Sequence, residues 1–204
     1  MEIQGLFPTP IGLATNTSIA FDEHQYLLGI DYHVHETYDM IVTKNKFILN
    51  SPIPSIRDFI QSELREYALQ TLGTAQPLRF TQSWCTKHDK IPQKTFPHIH
   101  QNSIVSGVYY VQAEEPSEGL TFYKNTDYTD RYVTWQTDPT LIEKHHWAWR
   151  WAKFPVHTGL LILFPSQLKH AVEGHLSPNN TRCSLAFNTW FDGPIGNEND
   201  FSQL

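Results

Sequence analysis

From Leu78 onward the chain divides into short apolar runs separated by Gly, Pro and Asn, and this rhythm restricts it to a sheet-based fold. The runs are Leu78–Thr86, Ser103–Gln112, Gly119–Tyr123, Val156–Phe164 and Arg182–Phe191. Each has the length of a strand, and their β-branched and aromatic residues suit a pleated, half-buried surface. Short strands bounded by turn residues point to an antiparallel sandwich or barrel. Upstream, Gly5 to Ala14 reads as an extended opening strand whose Pro8 and Pro10 suit an edge. Asp39 to Leu49 reads as another strand. One segment breaks the pattern. Between Ser55 and Leu72, Ile56, Phe59, Ile60, Leu64, Tyr67 and Ala68 recur at three- and four-residue steps. That stripe predicts a helix packed on a sheet, with Pro54 before it, Ser55 as its cap and Gly73 at its end.

The expectation is therefore a mainly β protein with a flanking helix. The whole chain, 1–204, reads as one domain: N-terminal strands, a helix at about 55–72, and an aromatic-rich insert at about 124–155. A chain of this length buries a core without disulfide or metal staples. The insert carries Trp135, Trp147, Trp149 and Trp151 with His145 and His146. It reads either as an aromatic cluster sealing one end of the barrel or as a lid over a substrate pocket.

Charge narrows the function. The net charge is -6 and Lys and Arg are nowhere dense, so neither a nucleic acid nor an anionic membrane is an expected partner. Met1-Glu2-Ile3-Gln4 lacks the basic and apolar regions of a signal peptide. The longest strongly apolar run, Leu160–Phe164, is too short to span a bilayer. Cys85 and Cys183 read as buried thiols of a reducing, cytoplasmic compartment. An exposed strand edge would allow a homodimer.

The 11 histidines carry the chemistry. His98 and His100 are two apart, so in a strand both imidazoles face the same way and can address one metal ion. Far downstream, Gly159 opens an apolar run to Phe164-Pro165, and the next turn presents His170. A third imidazole arriving from a distant strand end closes a facial site of the kind non-haem iron oxygenases use. Beyond it, alternation places Arg182, Ser184, Ala186 and Asn188 on one strand face and Cys183, Leu185 and Phe187 on the other. A guanidinium beside a hydroxyl makes a carboxylate trap; a structural salt bridge is the other reading. His33/His35 and His145/His146 read as surface or lid residues.

In order, Pro97-His98-Ile99-His100-Gln101-Asn102-Ser103, Ser106-Gly107-Val108-Tyr109-Tyr110-Val111, Gly159 to His170 and Arg182 to Asn188 resemble the 2-oxoglutarate- and Fe(II)-dependent oxygenases related to prolyl hydroxylases. The opening Leu6-Phe7-Pro8-Thr9-Pro10 resembles that family's start. The resemblance covers most of the chain and is densest between about 80 and 190. It implies a double-stranded β-helix, or jelly roll, with Fe(II) between His98, His100 and His170. It implies 2-oxoglutarate chelating the iron, its far carboxylate on Arg182 and Ser184, with Tyr110 lining the same pocket. It implies an oxygenase that uses O2 to hydroxylate a C–H bond of an organic or peptidyl substrate.

Where the wider superfamily has His-x-Asp or His-x-Glu, this chain has His98-Ile99-His100. Either three histidines hold the metal, or one of the pair orients a ligand and a carboxylate comes from elsewhere. Two rival readings use the same residues. A cupin also has a His-x-His and a Gly-x5-Pro-x4-His turn. However, Asn102 to Val105 lacks the expected glutamate, Gln167 stands where a glycine is usual, and Arg182 and Ser184 have no role. The other rival is a non-catalytic jelly-roll binding module.

Overall fold

The computed structural model describes residues 1–5, 8–36, 40–88, 95–114, 117–124, 149–172, 182–196, 199, 200 and 202. Along them run β1 (Gly12–Thr15), α1 (Phe21–Gly29), β2 (Tyr32–Val34), β3 (Ile41–Thr43), a 3-10 turn (Ile48–Asn50), α2 (Pro54–Leu72), β4 (Leu78–His88) and β5 (Val105–Gln112). There follow β6 (Ser117–Tyr123), β7 (Trp151–Val156), β8 (Leu160–Pro165), β9 (His170–Val172) and β10 (Arg182–Phe191). A seven-stranded sheet has the order β1-β8-β5-β10-β4-β3-β2, and a three-stranded sheet the order β7-β6-β9. Every ladder between these strands is antiparallel.

The central strands of the large sheet are buried on both faces, and the two-residue side-chain period sorts their residues between them. Cys183, Leu185 and Phe187 of β10, with Tyr109 of β5 and Leu161 and Leu163 of β8, pack with Ile56, Ile60 and Leu64 of α2. Tyr110 of β5 and Ile162 and Phe164 of β8 point the other way, into a second core with Leu120, Phe122 and Val156. Strands β5 and β8 are apolar along nearly their whole length because neither face meets water. Gly107 in β5 permits the closest approach. A methyl there would lie 2.2 Å from Cζ of Phe187.

Helix α2 lies where its apolar stripe predicts and stops at Gly73, whose φ of 65° is left-handed. Ser55 does not cap it. The first turn is capped by Glu23 of α1, whose two carboxylate oxygens accept the amides of Ser55 and Ile56, each at 2.9 Å. A carboxylate outcompetes a hydroxyl here because it satisfies two orphan amides and complements the helix dipole.

Several boundaries differ from expectation. Among its described residues the opening segment pairs only over β1, at the edge beside β8. The expected strand 39–49 splits into β3 and the 3-10 turn. The apolar run 156–164 is the end of β7, a turn at Gly159 (φ 87°), and β8. Strand β4 runs two residues further, to His88. The short elements α1, β2 and β9 have too few residues to show a period. No helix among the described residues is long and apolar enough to cross a membrane.

Candidate metal and cosubstrate site

The facing sheets enclose a cavity of about 120 Å³. His98, His100 and His170 line it, as do Tyr110, Arg182 and Ser184, so all six expected site residues meet there.

The histidines are held by backbone first. His98 and His170 exchange both main-chain hydrogen bonds, at 2.9 and 3.0 Å, and His100 donates its amide to Ser166 at 2.9 Å. Residues 98–100 are thus an extended segment laid along the 166–170 turn rather than a full strand. The two-residue spacing still brings the rings together: their centroids are 5.1 Å apart for His98 and His100, 4.5 Å for His98 and His170, and 5.0 Å for His100 and His170. His170 begins β9 instead of standing in a turn. Phe164 packs edge-on against its ring at 4.7 Å, and Trp84 does the same to His100 at 5.8 Å.

Hydrogen bonds set the ring tautomers. Nδ1–H of His98 donates to the Phe96 carbonyl at 2.7 Å, and Nδ1–H of His170 to the Leu168 carbonyl at 2.8 Å. Since a carbonyl only accepts, the neutral form of each ring carries its lone pair on Nε2. Nε2 of His170 lies 3.2 Å from Nε2 of His100. One ligand-capable atom from each of the three rings lies within 4.8 Å of the others. Burial, with the neighbouring rings His170 and His98, pushes the pKa of His100 down to about 3. Burial pushes His170 down to about 4, against its bond to Leu168. Both rings are therefore neutral at neutral pH and their lone pairs are available to a cation. Among the described residues this metal-competent group contains three imidazoles and no carboxylate. The donor set fits a divalent iron.

Arg182 and Ser184 lie on the cavity face of β10, as alternation predicts. The bulge between Cys183 and Ser184 sets Ser184 directly across from Tyr110 of β5. Arg182 is 2% exposed. Burial raises the Tyr110 hydroxyl pKa, offset in part by the guanidinium charge and by a hydrogen bond with the Leu120 backbone. This end of the cavity is lined by a buried guanidinium and by the hydroxyl residues Thr86, Tyr110 and Ser184, donors suited to an anionic oxygen pair.

The structure also brings in His88, Thr86 and Trp84 from β4, with Met40, Thr95, Leu120 and Val172. Extending the alternation of Leu78–Thr86 by two residues is the signal that would have found His88. His33 and His35 are half-buried and do not line this cavity. Trp135, Trp147, His145 and His146 lie outside the described residues. Trp149 and Trp151 are exposed, Trp151 begins β7, and neither lines the cavity, so the described tryptophan on its wall is Trp84.

A family model described as "Putative 2OG-Fe(II) oxygenase" matches residues 82–188. Among curated proteins none matches the sequence. Among solved structures, the non-haem α-ketoglutarate-dependent epimerase SnoN from nogalamycin biosynthesis superposes with a TM-score of 0.62 at 12% identity, over 91% of this chain and 80% of that one. HygX from Streptomyces hygroscopicus, with nickel and 2-oxoglutarate bound, superposes with a TM-score of 0.60 at 12% identity, over 89% and 82%. The carbocyclase SnoK from nogalamycin biosynthesis gives 0.59 at 13% identity, over 91% and 81%. At these identities the superpositions establish the jelly-roll fold. The family match spans β4 to β10 and contains every residue that holds the histidine and arginine ends of the cavity, and by it this chain belongs to the 2-oxoglutarate- and Fe(II)-dependent oxygenases.

Proposed function

We propose that His98, His100 and His170 hold the Fe(II) of this oxygenase, and that Arg182, with Ser184 and Tyr110, seats the far carboxylate of 2-oxoglutarate. The observation that carries this reading is the meeting, in one cavity, of three imidazoles within 4.8 Å of one another and a buried arginine. Iron with 2-oxoglutarate and O2 supplies the oxidising chemistry, 2-oxoglutarate being converted to succinate and CO2. The protein's part is to position and to exclude water. The Nδ1 bonds of His98 and His170 aim two ring nitrogens. The guanidinium fixes the cosubstrate's far end, and Leu120, Val108 and Trp84 keep the wall apolar.

The substrate is an organic or peptidyl molecule offering a C–H bond at the mouth, where His98 is exposed. Two free, buried thiols fit a reducing, cytoplasmic setting. Strands β1 and β2 form the edges of the large sheet, and edge pairing is the route to a homodimer.

The test is to load the protein with Fe(II) anaerobically and add 2-oxoglutarate. A visible charge-transfer band that is lost in Arg182→Ala is the expected result. Bound iron without a band would indicate a cupin-like metalloprotein. Failure to take up iron would leave a non-catalytic module.

A further inference from the structure

His88 ends β4 and stands directly across from Arg182 in the β4–β10 ladder. Both side chains line the cavity. The His88 ring is 1% exposed. Its Nδ1 lies 3.3 Å from Nη2 of Arg182. A guanidinium only donates, so Nδ1 accepts, and the proton of the neutral ring sits on Nε2. That Nε2–H is buried and has no hydrogen-bond partner among the described residues. A native fold rarely leaves such a donor without an acceptor, and a ligand site is where an acceptor arrives from outside.

The charges say what kind of acceptor. Burial and the adjacent guanidinium push the His88 pKa down to about 3, so the ring is neutral at working pH. The guanidinium and the neutral ring both line the cavity and offer N–H donors, which a carboxylate accepts. A carboxylate has about four acceptor positions, more than one guanidinium edge uses.

We propose that His88 donates its Nε2–H to the far carboxylate of 2-oxoglutarate while its Nδ1 holds the Arg182 guanidinium in place. His88 thereby helps select a dicarboxylic 2-oxo acid over a monocarboxylic one. This rests on the assignment of Arg182 as the carboxylate anchor.

Asparagine and glutamine separate the two ring nitrogens. The amide of His88→Asn sits where Nδ1 does and can still accept from Arg182, but it does not reach the Nε2 position. The amide of His88→Gln reaches it. Dissociation constants of the anaerobic Fe(II) protein for 2-oxoglutarate and for 2-oxopentanoate, which lacks the far carboxylate, are measured by calorimetry. His88→Asn should weaken 2-oxoglutarate roughly tenfold or more and leave 2-oxopentanoate unchanged, whereas His88→Gln should stay within roughly threefold of wild type.

Unchanged 2-oxoglutarate binding in His88→Asn overturns the proposal and would mean that His88 acts only through Arg182. Equal weakening in both variants overturns it too, since a donor restored at the Nε2 position would then contribute nothing. Arg182→Ala is the control on the underlying assignment: if it leaves 2-oxoglutarate binding intact, the anchor is elsewhere and both readings fall. A measurement without substitution keeps the proposal testable should His88→Asn not fold. In Zn(II)-loaded protein with 15N-labelled histidine, the Nε2–H proton of His88 should move downfield with 2-oxoglutarate and not with 2-oxopentanoate. Indifference to both would overturn it.

Discussion

His98 and His170 are joined through their backbones before any metal is considered, each donating its amide to the other's carbonyl, at 2.9 and 3.0 Å. The link ties the irregular segment at residues 98–100 to the first residue of β9 and holds two rings at 4.5 Å. The set is thus preorganised from main chain, and in the proposed site each ring would contribute a separate bond to the metal. His98→Ala, His100→Ala and His170→Ala should each lower Fe(II) affinity by at least about 100-fold while keeping the backbone pairing. Near-normal affinity in any one variant, measured anaerobically by competition with a chelator, would show that its ring is not a ligand.

Arg182→Ala should raise the dissociation constant for 2-oxoglutarate by roughly 10- to 150-fold, the range for losing hydrogen bonds to a charged group. Arg182→Lys keeps the charge but loses the planar fork, and should fall between wild type and alanine. Iron affinity without 2-oxoglutarate should not change in either. Equal loss of iron and 2-oxoglutarate affinity would mean that Arg182 supports the fold of the site rather than binding the cosubstrate.

The site was legible in the sequence because its chemistry follows local periods. The two-residue spacing of His98 and His100, and the alternation along Arg182, Ser184 and Ala186, each place side chains from a single segment. Helix α2 was legible for the same reason, through its three- and four-residue steps. What the sequence hid depends on partners far along the chain. Helix α1 buries Glu23, His24 and Leu27, which form no apolar stripe, because Glu23 is there for the amides of another helix. His24 is buried because its Nε2 meets the Tyr109 hydroxyl at 2.9 Å across the helix–sheet boundary. His88 is reached only by extending the alternation of β4 two residues past Thr86, and its part in the site shows only when β10 places Arg182 opposite it. The run 156–164 reads as one strand because apolar content does not report the turn at Gly159.

The cap of α2 can be tested separately from the chemistry. Glu23 satisfies two amides of the first turn from 32 and 33 residues away, so removing its carboxylate loosens the contact between α1 and α2 as well as the cap. Glu23→Ala should lower stability by about 1–2 kcal/mol, and Glu23→Gln, which can still accept once, by less. Urea unfolding measures both. An alanine variant as stable as wild type would mean that water replaces the carboxylate without loss.

Acid should destabilise the fold through His88. Its folded pKa is near 3, and its unfolded value is the ordinary 6.5. Above pH 6.5 both states are neutral, and the group makes no difference. Between 6.5 and 3 the unfolded chain takes up a proton that the buried ring refuses, because burial and Arg182 oppose the charge. Stability therefore falls as pH drops through that window, by up to about 1.4 kcal/mol per pH unit for this one group, and levels off below 3. His88→Gln removes the titration and keeps a polar side chain. Its unfolding free energy should fall less steeply than wild type between pH 6.5 and 4. Parallel profiles for the two proteins would show that His88 already carries its proton in the folded state, and a protonated ring could not accept from Arg182.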